Sequence, residues 1–201
     1  MAFLVGGKTG VKSAGTDPLP AVAATESLAL RVPPGQLDVF FPLFQRGVTV
    51  PTLVGCSLKS LLCDQFAIPA DYVAGRILTI FCDSQPVDDL DRTIIREGSK
   101  IALSAAMPGL VGASMRRGGP LAGMRRGISH GEDKGEAARE SGTVLVKLFN
   151  LLLEELVPLI LSRGVLLERD ELDDLLRRLS PSGEAAPAGA GRVLLTVAFG
   201  E

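Results

Sequence analysis

ILTIFCDSQPVDDLDRTIIREGSKIALSAAMPG, residues 77–109, is the stretch on which the expected fold turns. An apolar run over 76–82 suits a strand, and Asp83-Ser84-Gln85-Pro86 supplies the turn chemistry that ends it. Residues 88–95 form a short irregular segment, after which Glu97-Gly98-Ser99 turns the chain into a second strand over 100–106. Upstream, Leu58, Leu61, Leu62 and Phe66 recur at spacings of three and four, the period of a helix with one apolar face. Ser57 suits the N-cap of that helix, and Pro69 stops it.

Further upstream, residues 38–45 and 48–54 read as two strands joined by a turn at Arg46-Gly47. Val48, Val50 and Leu53 then point inward, and Pro42 and Pro51 are confined to bulges or unpaired edges. The expected order is a hairpin, a helix, two more strands and an excursion before the last. The segments at 77–109, the hairpin and the Gly55-Cys56-Ser57-Leu58 helix entry together resemble the ubiquitin-like β-grasp superfamily, and most of all the sulfur-carrier proteins of thiamine and molybdopterin synthesis. That resemblance implies an α+β fold in which a mixed sheet wraps around one helix, over residues 37–109.

The remaining regions follow from composition. Residues 1–36, rich in Gly, Ala and Pro, read as a flexible N-terminal arm with room for one edge strand. Residues 110–142, rich in Gly, Arg and Ser, read as a linker or extended loop. Residues 143–201 form a C-terminal α/β extension of order β-α-α-β: a strand at 143–149, an apolar helix at 150–163 kinked or divided by Pro158, an acidic amphipathic helix at 168–179 and a strand at 192–199.

Composition narrows the function. A chain of 201 residues, 46% hydrophobic, is long enough to bury a core. A formal charge of -2 argues against a generally basic nucleic-acid binder, so any polyanion site must be local. No apolar run reaches the roughly 18–20 residues that cross a bilayer, and the N-terminus lacks the pattern of a secretory signal, so a cytoplasmic location without membrane attachment is expected. Cys56, Cys63 and Cys82 match neither a disulfide framework, a zinc knuckle nor the plant-type ferredoxin cluster, and read as small buried side chains.

No catalytic constellation emerges. Gly6-Gly7-Lys8-Thr9 mimics a phosphate-binding loop but has no strand delivering the chain into it. His130, the single histidine, sits in the Gly-rich stretch, where a triad would have to rest on a loop. The acids Glu168, Asp170, Glu171, Asp173 and Asp174 lack the glycine-turned calcium loop and read as a solvated helix face. Neither a metal nor a cofactor is expected, and the chain is not expected to be an enzyme.

Two copies of one tetrad, Met115-Arg116-Arg117-Gly118 and Met124-Arg125-Arg126-Gly127, concentrate positive charge in an otherwise slightly acidic chain. Guanidinium forks suit carboxylate or phosphate oxygens, and glycines let the backbone come close, so Arg116, Arg117, Arg125 and Arg126 are the candidate contacts to an anionic ligand or protein partner. The leading expectation is therefore a non-catalytic interaction module. The carrier resemblance implies an alternative, a sulfur-carrier or protein-modifier precursor activated at a glycine tail. Gly109 falls at the first tail position but Leu110 at the second, and Gly118-Gly119 would become a tail only after a cut. RNA binding is a third reading, weakened by the absence of Trp and by a single Tyr as stacking platforms.

Overall fold

The computed structural model describes residues 3–4, 26–125, 138–180 and 191–200. Gly6, Gly7, Lys8, Arg126 and His130 lie outside the described residues. The molecule is α+β, with a mixed sheet of nine strands in the order β1-β2-β9-β8-β3-β7-β6-β4-β5. The strands are β1 (Phe3–Leu4), β2 (Glu26–Val32), β3 (Val48–Val54), β4 (Thr79–Cys82), β5 (Gln85–Pro86), β6 (Lys100–Ser104), β7 (Glu140–Phe149), β8 (Val165–Glu168) and β9 (Arg192–Phe199). The helices are α1 (Phe41–Arg46), α2 (Leu58–Ser60), α3 (Ala70–Gly75), α4 (Gly109–Met115), α5 (Leu152–Arg163) and α6 (Arg169–Leu179), with short 3-10 turns at Pro34–Phe40 and Ala122–Arg125.

Helix α2 begins where the sequence places it: Ser57 Oγ accepts from Ser60 N at 3.2 Å. It then widens into a π turn over Leu61–Gln65, closed by Phe66 N donating to Leu61 O at 2.9 Å. The widening keeps Leu58, Leu61, Leu62 and Phe66 fully buried while turning Gln65 toward β3. There the Gln65 amide takes Leu53 N at 2.7 Å and gives to Leu53 O at 2.9 Å, so one side chain serves as strand partner to β3. β8 cannot fill that place, because it pairs with β3 only at Thr49.

The hairpin expected ahead of this helix is different. Residues 38–45 form no strand; they lie in the 3-10 turn and α1. Phe40, Leu43 and Phe44 are the buried positions, and their spacing of three and four is helical, while Pro34 and Pro42 occupy first-turn positions where no intrahelical N–H is needed. Gly47, at φ +114°, ends α1 and leads straight into β3. The antiparallel partner of β3 is instead β7, with Val48 opposite Val146 and Val50 opposite Val144. β7 also runs parallel to β6, pairing Ile101 with Val146 and Leu103 with Leu148.

Residues 110–142 are accordingly not a plain linker: they include α4 and the 3-10 turn before leading into β7. Nor are residues 1–36 simply an arm, since β2 pairs in parallel with β9 along its whole length, from Glu26–Val193 to Val32–Phe199. The C-terminal region carries one strand more than expected, β8 between α5 and α6, and α5 continues through Pro158. Alternation gives the sheet one buried face, formed by Leu30, Val197, Leu195, Leu167, Val48, Val144, Val146, Leu103 and Ile80. Against the sheet pack α1, α5, α6 and the π turn that follows α2, and a single hydrophobic cluster joins residues from both halves of the chain. Leu53, expected inward, lies half-exposed because Val48, Val50, Thr52 and Val54 are the positions on the buried face. Among the described residues no helix is long and apolar enough to cross a membrane.

Candidate binding site

Among the described residues, the face opposite the core is left open over β4, β6 and β7. Register puts Phe81 beside Ala102, and Ala102 beside Lys147, while Thr79 meets Ser104 and Ser104 meets Phe149. These residues alternate with the buried Ile80, Leu103 and Leu148, so they share the open face. Phe81, Ala102, Leu145 and Lys147 are half-exposed there, and Lys100 and Phe149 are exposed. Where β6 and β7 end, Phe81, Ala102, Met107, Pro108, Phe149 and Asn150 line an apolar cleft of 320 Å³. Leu110, Val111 and Leu151, all well exposed, extend the apolar surface around that end of the sheet. Asn150, at φ +57°, is held by Nδ2 donating to Ala106 O at 2.6 Å and to Ser104 Oγ at 3.1 Å.

Helix α4 roofs one corner of this open face. Gly109, at φ +76°, turns the chain into α4, and Gly112 lies where an added Cβ would collide with the Met107 carbonyl. Beneath α4, Leu78, Thr79, Met107, Gly112, Arg116 and Pro120 contribute to a second cleft of 300 Å³. Thr79 is 1% exposed, and its Oγ1 has no hydrogen-bond partner among the described residues.

The arginines singled out in the sequence have separate fates. Arg125 is buried, its guanidinium forked onto Asp88 at 2.8 and 2.7 Å and its Nε donating to Ser114 O at 2.7 Å. It holds the segment shut and is not available to a ligand. Arg117 is half-buried; its Nη2 donates to Val73 O at 2.6 Å and its backbone N to Leu78 O at 2.8 Å. Burial pushes the Arg117 guanidinium below its ordinary value, with Asp88 opposing. Arg116 is exposed, and no hydrogen bond or ion pair of its guanidinium occurs among the described residues. Gly118, at φ +63°, and Gly119 form a tight turn in which Gly119 N donates to Arg116 O at 3.1 Å.

A larger cleft, 550 Å³, lies on the other side of Arg117 and includes Lys59, Cys63, Asp88, Asp89 and Asp91. Its charges are already used: Lys59 pairs with Asp91 at 3.1 Å, and Asp89 Oδ1 accepts from the backbone of Asp91 and Arg92. Most of the acids at 168–174 are used too. Glu168 and Glu171 make a capping box at the start of α6, Glu168 also pairs with Arg192 at 2.8 Å, and Asp174 pairs with Arg177. Among the described residues no group of three metal-ligating side chains comes together. The three cysteines are free thiols, Cys56 and Cys82 buried and Cys63 half-buried.

Sequence reasoning named Arg116 but missed Thr79, Phe81 and Phe149. The signal was present in the alternation of Thr79-Ile80-Phe81-Cys82, whose odd positions must face away from the core. Comparison with family models, with curated proteins and with solved structures finds no match to this chain.

Proposed function

We propose that this chain is a non-catalytic binding module built on a permuted ubiquitin-like β-grasp, which docks a protein partner on the open face of β4, β6 and β7. The observation that carries the reading is the contrast between the two faces of one sheet. One carries the helices and the hydrophobic core, and the other presents Phe81, Ala102, Leu145 and Phe149 half-exposed or exposed, with an apolar cleft at its end. In the permuted arrangement β3, α2, β4, β5 and β6 keep the order expected for a β-grasp. The hairpin partner of β3 is β7, from the far end of the order, rather than residues 38–45. Lys100 and Lys147 flank the apolar residues, so the partner that fits is a segment with apolar side chains bordered by acidic ones.

The carrier alternative has less behind it. Gly118-Gly119 lies in a closed turn instead of at a thin free tail, and a cut there would sever β7 from the strands on either side of it.

A photo-crosslinking residue in place of Phe149 tests the docking face in lysate from the native cell. A discrete adduct with one protein is expected, outcompeted by unlabelled wild-type chain and absent when the probe replaces Arg178, an exposed residue on α6. Equal labelling from both positions would sink the reading.

A further inference from the structure

The geometry points to the cleft beneath α4 as a binding site for a small oxo- or hydroxy-carboxylate, its carboxylate on Arg116 and its inner oxygen on the Thr79 hydroxyl. The inference deepens the binding-module reading by naming a ligand class for the Arg-Gly segment; its two polar contacts, Arg116 and Thr79, do not line the docking cleft, although Met107 lines both.

Three observations converge. A buried hydroxyl without a partner costs stability, because its hydrogen bonds to water are lost and not replaced. Thr79 Oγ1 is such a group, on a residue only 1% exposed, and it lines a cavity of 300 Å³. That volume stands at the lower end of cavities that take small molecules. A ligand oxygen reaching the base of the cleft would satisfy the hydroxyl, accepting from it as a ketone or exchanging donor and acceptor roles as an alcohol.

Charge then selects the other end of the ligand. Among the described residues Arg116 is the one ionisable side chain lining the cleft, and its guanidinium has no partner there. A single guanidinium matches a single carboxylate in a two-pronged fork, whereas a phosphate dianion would call for further cations. Between the two polar points the walls are Leu78, Met107, Ala113 and Pro120, which suit a short carbon chain.

Isothermal titration of the full chain with 4-oxopentanoate and with pentanoate tests this. The two acids differ only in the ketone oxygen. Wild type is expected to bind 4-oxopentanoate at millimolar concentration or below, about tenfold tighter than pentanoate. Thr79→Val removes the hydroxyl at constant shape and should abolish that difference without lowering the melting temperature. Arg116→Gln, at an exposed position, should weaken both acids by about tenfold. Amide shifts in two-dimensional NMR should centre on Leu78, Thr79, Met107 and Gly112. Equal affinity for the two acids in wild type, a preference that survives Thr79→Val, or no binding at millimolar concentration would each overturn the assignment. None of these results alters crosslinking through Phe149, so the ligand site and the docking face fail separately.

Discussion

At the scale of single residues, two arginines from the two copies of one sequence pattern, Arg116 and Arg125, do opposite work. Arg125 fills a buried pocket where Asp88, Ser114 O and Arg116 O all accept from it, so its removal strands acceptors that water reaches poorly. Arg125→Gln is expected to cost about 2–3 kcal/mol in urea unfolding, below the value for a fully enclosed pair because Asp88 keeps 43% exposure. Arg116→Gln should change stability by less than about 0.5 kcal/mol, as for a surface position without partners. If the two substitutions cost the same, the division of the segment into one structural and one ligand-facing arginine is mistaken.

Among elements, α4 and the tie between α3 and α5 show how short pieces are fastened. α4 is packed closely on the segment that leads into it by the contact of Gly112 with the Met107 backbone, which leaves no space for a methyl group. Gly112→Ala should therefore displace α4 at a cost of about 1–3 kcal/mol, a fall in melting temperature of roughly 2–10 °C. Amide exchange should quicken over residues 109–115 while β3 and β7 stay protected. Between α3 and α5, Glu155 accepts from Tyr72 Oη and from Arg76, whose Nε lies at 3.1 Å. Hydrogen bonding from Arg76, then from Tyr72, holds the Glu155 carboxyl below its ordinary value. A carboxyl with a lowered folded pKa stabilises the fold above its unfolded value of about 4.3, and that contribution disappears as pH falls through the folded value. Glu155→Gln should therefore flatten the loss of stability below about pH 4 and leave the slope between pH 6 and 8 unchanged. A wild-type slope in the variant below pH 4 would show that the tie contributes nothing.

For the whole molecule, the decisive feature is that β7 lies between β3 and β6 although it follows β6 in the chain. Everything before Gly119 lacks that strand, so a chain ending at Gly119 should show no cooperative thermal transition. Adding residues 120–201 as a separate chain should restore it. A stable fragment ending at Gly119 would reopen the glycine-tail reading. Local pattern sufficed for the helix near 58–66 with its Ser57 cap, for strands expected at 48–54, 76–82, 100–106, 143–149 and 192–199 and formed at 48–54, 79–82, 100–104, 140–149 and 192–199, and for the burial of Leu58, Leu61, Leu62, Ile77, Ile80, Ile101 and Leu103. Periodicity and capping act over a few residues, so they are written in contiguous sequence. Residues 38–45 misled because a single proline, Pro42, in a dense apolar run suits a broken strand as well as two short helical turns, and the i, i+3, i+4 spacing of Phe40, Leu43 and Phe44 decides between them only once a core exists to receive it. Strand pairing and the fate of each arginine were left to the tertiary structure. β7 alternates as any half-buried strand does, and its place beside β3 is set by shape and by the 3-10 turn and α1 occupying the alternative segment. The Asp88 that captures Arg125 lies 37 residues away, a distance over which no local pattern extends.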